Sequence, residues 1–296
     1  MDIPSLADVR LLTEKSRDSW WTVFLVDPIA TPLTRWAAKW TRVTPNQVTW
    51  GALFLGVIAA ACFSRQNWEW LAIGALFYHL SFILDCIDGK LARLTGKTSE
   101  IGGWLDYIFD RIRVLTCSIT LMGGQYARAG DVLYVWLALF VVSLDMLRYV
   151  NALQISKVRL GMREKLVERA KGSEREMRYP YGGVGIAESA NQFDIDQREA
   201  SRGVPNSVDG PHDLQDGLKS RFPWYIRFRD ALQRKRIRPH FVSGIEFQMA
   251  VFIIGPLVSA ITPVTFAAGA LLLIFEAAAI YVLLLSIREF EESSAL

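Results

Sequence analysis

Three cysteines and three histidines are all that 296 residues contain, too few and too scattered for a disulfide framework or a zinc centre. Cys62, Cys86 and Cys117 fall inside apolar stretches at no ligand or disulfide spacing, so they read as small buried hydrophobes. His240 has no partner spacing and reads as an ordinary residue near a membrane interface. The formal net charge is only +3, which gives no footing for a nucleic-acid partner. No internal repeat marks an inverted-repeat transporter. The charged, polar amino terminus lacks the early apolar run of a cleavable signal peptide, so the first apolar span is expected to be retained.

What the chain has in excess is apolar material. Hydrophobic residues make up 51% and charged residues 21%, and the charges are spread unevenly, leaving long apolar windows that call for a non-aqueous solvent. The windows lie at 47–64, 69–88, 102–124, 131–153, 245–263 and 265–287, each near the roughly 20 residues of a bilayer crossing. The expected fold is therefore all-α: a polytopic membrane protein of six transmembrane helices around a polar cavity that faces the cytoplasm. Arg10, Lys15, Arg17, Arg35, Lys39 and Arg42 precede the first span, whereas the turns after the first and third spans hold only Arg65 and Arg128. By the positive-inside rule both termini, the 88–101 loop and the 155–244 segment face the cytoplasm, and the Ile261-Thr262-Pro263 turn lies outside.

Four segments follow from this pattern. Residues 1–46 form an amphipathic amino-terminal segment, and 47–154 hold the first four spans. Residues 155–244 form a cytoplasmic insertion, and 245–296 hold the last two spans and a cytoplasmic tail. In the first segment Leu33, Trp36, Ala37 and Trp40 recur at helical spacing opposite Arg35, Lys39 and Arg42, which suits a helix in the headgroup plane or one packed on the bundle. In the insertion, 155–178 continues the fourth span as a basic helix. Residues 179–217 are Gly-, Ser-, Asn-, Asp- and Pro-rich and expected to be flexible, and 219–240 is basic again. The run Arg234-Lys235-Arg236-Ile237-Arg238, near Trp224, Tyr225 and Phe228, suits anionic lipid headgroups or is ordinary positive-inside charge.

The chemistry concentrates where the second span ends and the third begins. Asp85 and Asp88 are three apart, and Asp106 and Asp110 four apart, so on helices each pair presents both carboxylates on one face. Four anions at a membrane boundary need cations to neutralise them, and hard oxygen ligands without His or Cys favour Mg²⁺, Mn²⁺ or Ca²⁺. Two divalent ions held there could grip a diphosphate and support attack at phosphorus. Gly89 and Ala92 keep one face open, and Arg93 is a fixed cation for phosphate oxygens.

The order Asp85, two residues, Asp88-Gly89, two residues, Ala92-Arg93, eight residues, Gly102, three residues, Asp106, three residues, Asp110 resembles the signature of the CDP-alcohol phosphatidyltransferase family (class I). Every defining position is filled. The six-span layout and the Thr44-Pro45-Asn46-Gln47-Val48-Thr49 lead-in to the first span extend the resemblance to most of the chain outside 155–244. It implies a metal-dependent transfer of a substituted phosphate from a CDP-alcohol to an acceptor alcohol, releasing CMP, in phospholipid biosynthesis. It implies two ions, Mg²⁺ or Mn²⁺, on Asp85, Asp88, Asp106 and Asp110, with Asp110 also the general base. Asp85, Gly89, Ala92, Arg93, Asn46 and Thr49 would face the CDP part, although an Asn near a helix start also serves as a cap. Gly102 suits helix packing or helix entry better than substrate contact. At least one substrate would be a lipid, the partner a second copy of the chain, and the setting a bacterial inner or cell membrane with the active site on the cytoplasmic side.

Other polar residues inside the spans are Arg111, Arg113, Asp145, Arg148 and Glu276. Arg113 and Arg148 are candidates for binding the acceptor, and ion pairs with Asp145 or Glu276 account for such arginines equally well. Two other readings use similar acids: an intramembrane prenyltransferase, which needs two separated aspartate clusters, and a cation transporter, which leaves Gly89 and Arg93 unexplained. The donor could be CDP-diacylglycerol with a small polar acceptor such as inositol phosphate, glycerol phosphate or serine, or a CDP-linked head group with a lipid acceptor.

Overall fold

A computed structural model of the chain describes residues 4–15, 18–41, 43–178, 236 and 243–295. The expected flexible stretch 179–217, His240 and nearly all of the basic 219–240 segment, including Trp224, Tyr225 and Phe228, lie outside the described residues. The described residues are helical apart from short connections and an isolated bridge in which the Asp18 N–H donates to the Arg236 carbonyl at 2.9 Å.

A short helix α1 (Leu6–Thr13), opened by a Ser5/Asp8 capping box, precedes a π-helical turn (Thr22–Val26) and α2 (Asp27–Trp40). Then come α3 (Pro45–Phe63), α4 (Trp68–Thr95), α5 (Glu100–Ala129) and α6 (Leu133–Arg178). After the undescribed stretch, α7 (Gly244–Met249) runs through a π turn (Ala250–Ile254) and a helical turn (Gly255–Leu257), and α8 (Ile261–Ala295) closes the chain. The boundaries have local causes. Thr44 and Gln47 form the capping box of α3, with Pro45 in its first turn. Helices α4 and α5 both stop at glycines in the left-handed region, Gly96 at φ 67° and Gly130 at φ 69°.

The turn expected at Ile261-Thr262-Pro263 lies three residues earlier. Val258–Ala260 make it, with Ser259 at φ 54°, and Ile261 already begins α8. A proline in the first turn of a helix loses no hydrogen bond, so Pro263 fits a helix start as well as a loop.

Among the described residues, four helices are long and apolar enough to cross a membrane: Pro45–Phe63, Trp68–Thr95, Leu133–Met162 and Ile261–Arg288. Helix α5 is 30 residues long but carries Asp106, Asp110, Arg111 and Arg113 in its first half, and the Gly244–Leu257 segment is shorter than a crossing. The outward surface agrees with a lipid solvent, since Phe54, Trp50, Trp136 and Ile274 are each more than half exposed.

The chain divides into two compact units, one of Met1–Met146 with Lys219–Phe275, the other of Leu147–Leu218 with Glu276–Leu296. In the first, α3 packs on α4 and α5, and α2 packs on α4. Its core centres on Phe63, Tyr78, Phe82, Met122 and Phe252, with the Tyr78 and Phe252 rings 4.8 Å apart. Helix α2 turns Ala30, Thr31 and Thr34 inward and leaves Leu33, Trp36 and Trp40 exposed, so its aromatic stripe faces away from the unit. In the second unit Arg148 pairs with Glu276 at 3.0 Å, and Asn151 also donates to Glu276.

The close approach of α3 and α4 depends on Gly74, where an added Cβ would sit 2.7 Å from the Phe63 ring and 3.2 Å from the Ala59 carbonyl oxygen. Gly123 has nothing within 4 Å of such a carbon. Gly74→Ala is expected to cost about 1–3 kcal/mol by overpacking, and Gly123→Ala nothing or a small gain. Thermal unfolding of the two purified variants in detergent checks the contrast.

Candidate active site

Tyr78, Ser81, Asp85 and Asp88 follow one another along α4 at steps of three, four and three residues, which aligns them on one face of the helix. That face meets the start of α5. One carboxylate oxygen from each of Asp85, Asp88 and Asp106 comes within 4.8 Å of the others, so two helices deliver the acids expected to converge. Asp88 is 5% exposed and takes a hydrogen bond of 2.6 Å from the Thr49 hydroxyl. Thr49 thus reaches the site from α3 and touches a carboxylate directly.

Asp110 stands outside this trio. It accepts from the Arg113 guanidinium, whose other terminal nitrogen lies 3.4 Å from Asp85. Arg113 is 3% exposed, donates to the Ser81 hydroxyl at 3.2 Å and lies 5.8 Å from the Tyr78 ring centre. It is the internal counter-ion of the cluster, fixed between one acid of each helix. Behind Asp110, Arg111 pairs with Asp145, which accepts from Gln248 at 2.8 Å, and Gln248 accepts from the Tyr78 hydroxyl at 3.1 Å. Arg111 therefore has its charge matched by Asp145, the pairing weighed from the sequence.

Arg111 also stands 3.9 Å from Asp110, so the four carboxylates and Asp145 face two guanidinium groups, a surplus of three negative charges when all are ionised. In surroundings of low dielectric such a surplus is costly unless cations enter. The three oxygens, within 4.8 Å of one another, are near enough that Asp85, Asp88 and Asp106 could hold a divalent ion between them. The donor set, all carboxylate, matches a hard divalent cation.

Around this centre, the Arg93 guanidinium lies across Gly89, with Nη1 3.7 Å from where a Cβ would stand, and Ala92 is half-buried beside them. Asn46 occupies the first turn of α3, but the cap is Thr44, which removes the capping explanation for Asn46. Its Oδ1 lies 2.8 Å from a Cβ built on Gly102, as does Ser99 Oγ; Gly102 lets the starts of α3 and α5 abut. Arg148 is paired with Glu276 in the second unit. The three cysteines form no disulfide.

Several residues of the site escaped the sequence reading. Tyr78 and Ser81 were detectable, because they extend the Asp85/Asp88 face down the same helix. Gln248 carried no signal in the linear sequence. Neither did the buried pair of Lys90 and Asp27, 2.8 Å apart.

The family model described as CDP-alcohol phosphatidyltransferase matches residues 42–171, a stretch that contains the whole aspartate constellation. The bifunctional IPC transferase and DIPP synthase of Thermococcus kodakarensis is 44% identical over 70 residues, 24% of this chain and 15% of that protein. The archaetidylinositol phosphate synthase of Pyrococcus horikoshii is 37% identical over 70 residues, 24% of this chain and 36% of that one. The phosphatidylinositol phosphate synthase of Cutibacterium acnes is 36% identical over 101 residues, 34% of this chain and 44% of the relative. The chain spans less than half the length of each of these relatives.

Removing the guanidinium while leaving the acids should be severe, since breaking a buried pair from one side costs about 3–5 kcal/mol. Arg113→Met is expected to lower the unfolding midpoint sharply in chelator, and Mn²⁺ to restore more stability to the variant than it adds to the parent. Thermal melts with and without the ion test both parts.

Proposed function

Since the family model described as CDP-alcohol phosphatidyltransferase matches residues 42–171, we propose that the chain moves a substituted phosphate from a CDP-alcohol to an acceptor alcohol and releases CMP. The observation that carries this reading is the meeting of Asp85, Asp88 and Asp106 within 4.8 Å, beside the pair of Asp110 and Arg113. These four aspartates would hold two divalent cations, Mg²⁺ or Mn²⁺, which when bound would neutralise the diphosphate and its leaving oxygen. Gly89 and Ala92 leave room for the CDP part, Arg93 offers its guanidinium to phosphate oxygens, and Asn46, beside Gly102 at the start of α5, would face the nucleotide. Thr49 contributes through Asp88.

In the transfer, the acceptor hydroxyl oxygen forms a bond to the phosphorus that bears the donor alcohol. The bond from that phosphorus to the CMP oxygen breaks, CMP leaves with the electron pair, and Asp110 takes the hydroxyl proton. Asp110 suits this role because its carboxylate is 28% exposed against 16% for Asp85, and Arg113 fixes its direction. Two of the relatives are named as inositol phosphate lipid synthases, which supports an inositol phosphate as acceptor and a CDP-linked lipid such as CDP-diacylglycerol as donor.

The membrane setting belongs to the same proposal. Helix α5 and the Gly244–Leu257 segment join the four long apolar helices as the remaining spans, which is supported by the inward burial of Arg113, Ser118 and Glu246. Both termini, the 155–244 insertion and the aspartates lie on the cytoplasmic side, following the basic residues before α3. The chain works as a homodimer, for which the exposed apolar face of α8 supplies surface.

CMP release by the purified chain, with Mg²⁺ or Mn²⁺, CDP-diacylglycerol and inositol phosphate, should depend on both substrates and on the ion. Asp110→Asn should lower turnover at least about 100-fold while leaving binding of the CDP donor intact. Normal turnover in that variant removes Asp110 as base, and no CMP from any donor and acceptor pair removes the reaction class.

A further inference from the structure

We infer that Asp27 and Lys90 are positioning residues that hold the Gly89–Arg93 turn of α4 in place for the CDP donor. The inference rests on the donor assignment proposed above. Lys90 sits within the signature, directly after Gly89, yet it takes no part in the acid face. On a helix, neighbouring residues point about 100° apart, so Lys90 leaves α4 on a side turned from Gly89. There its ammonium lies 2.8 Å from Asp27 Oδ1 and 3.3 Å from the Thr31 hydroxyl. Lys90 is 4% and Asp27 6% exposed. A lysine so near a helix end could extend its flexible stem to water; burial on a fixed carboxylate instead costs desolvation and yields a defined geometry.

The pair is itself braced. Thr31 donates to Glu14 at 2.9 Å. Arg236, from the basic run 234–238, binds Glu14, donates to the Lys15 carbonyl at 2.7 and 3.1 Å, and stands 3.4 Å from Asp27 Oδ2. One oxygen of Asp27 therefore serves Lys90 and the other faces Arg236. The last turns of α4 are gripped on two sides: by Thr49 and Arg113 through Asp88 and Asp85, and by α2 through Asp27. Between the grips lie Gly89 and Arg93, the groups assigned to the donor. A slackened Asp27 contact would let this turn rotate and move Arg93 while the acids stay held from α3 and α5. The expected signature is a defect in donor affinity rather than in the chemical step.

Steady-state CMP release at varied donor, with saturating acceptor and Mg²⁺, tests this in Asp27→Asn. The donor KM should rise about tenfold, the low end of what losing an outer hydrogen-bond partner costs at metal sites, with kcat within about twofold of the parent. Because a lone buried lysine destabilises the fold, the double variant Asp27→Leu/Lys90→Met removes both charges and keeps the packing. It should fold with near-parental stability and still show the raised KM. Arg236→Gln, a partly exposed change, should raise KM by a smaller factor. Parental donor KM in the folded double variant would overturn the inference and leave the pair as packing alone. Failure of the parent chain to release CMP would instead overturn the reaction reading, and the inference with it.

Discussion

Negative charge crowded beside hydrocarbon is the constraint on which the rest of the site depends. Asp85, Asp88, Asp106 and Asp110, with Asp145 behind them, face only the guanidinium groups of Arg113 and Arg111, and the neighbouring elements are arranged around that imbalance. Thr49 spends its hydroxyl on Asp88, Ser81 supports Arg113, and the string Tyr78, Gln248, Asp145 and Arg111 satisfies the polar groups behind Asp110. These contacts link residues of α3, α4, α5, α6 and α7, so the bundle is tied together by the same groups that hold the charge. The three surplus charges are the reason divalent cations fit a place that four loop-end aspartates in water would not require.

The acids were legible because their information is local. Spacings of three and four residues state a helical face without any knowledge of the fold, and Gly89, Ala92 and Arg93 lie in the same short window. Tyr78 and Ser81 could have been added by extending that face backward along α4. Asp145 and Glu276 were legible as candidate partners, but not which arginine each would take: Arg111 pairs with Asp145, Arg113 with Asp85 and Asp110, and Arg148 with Glu276. Such choices are set by helix rotation and register, which one sequence does not encode in its spacing. The pair of Asp27 and Lys90 was hidden for the same reason, with an amphipathic helix supplying the acid from its inward face.

The fold was readable in its class and less so in its edges. Long apolar windows announced helices in a non-aqueous solvent, and four of them meet the length and hydropathy of a crossing. Helix α5 falls short because its first half is spent on the acids and arginines of the site, which lower its apolar character where function needs charge. The turn between the last two helices was displaced because Pro263 is compatible with both a loop and a helix start. In α2 the basic and Trp-rich pattern fitted two settings, and its small residues pack inward while Trp36 and Trp40 stay exposed.

The claim most open to direct attack is that the aspartates form a cradle for two divalent cations and a diphosphate. Counting Mn²⁺ bound to the purified chain by electron paramagnetic resonance, with a CDP-linked lipid present, measures it without reference to turnover. Two ions per chain, falling when Asp85, Asp88 and Asp106 are changed to Asn, is the expected result. Binding that is absent, or that survives loss of all three carboxylates, would contradict it.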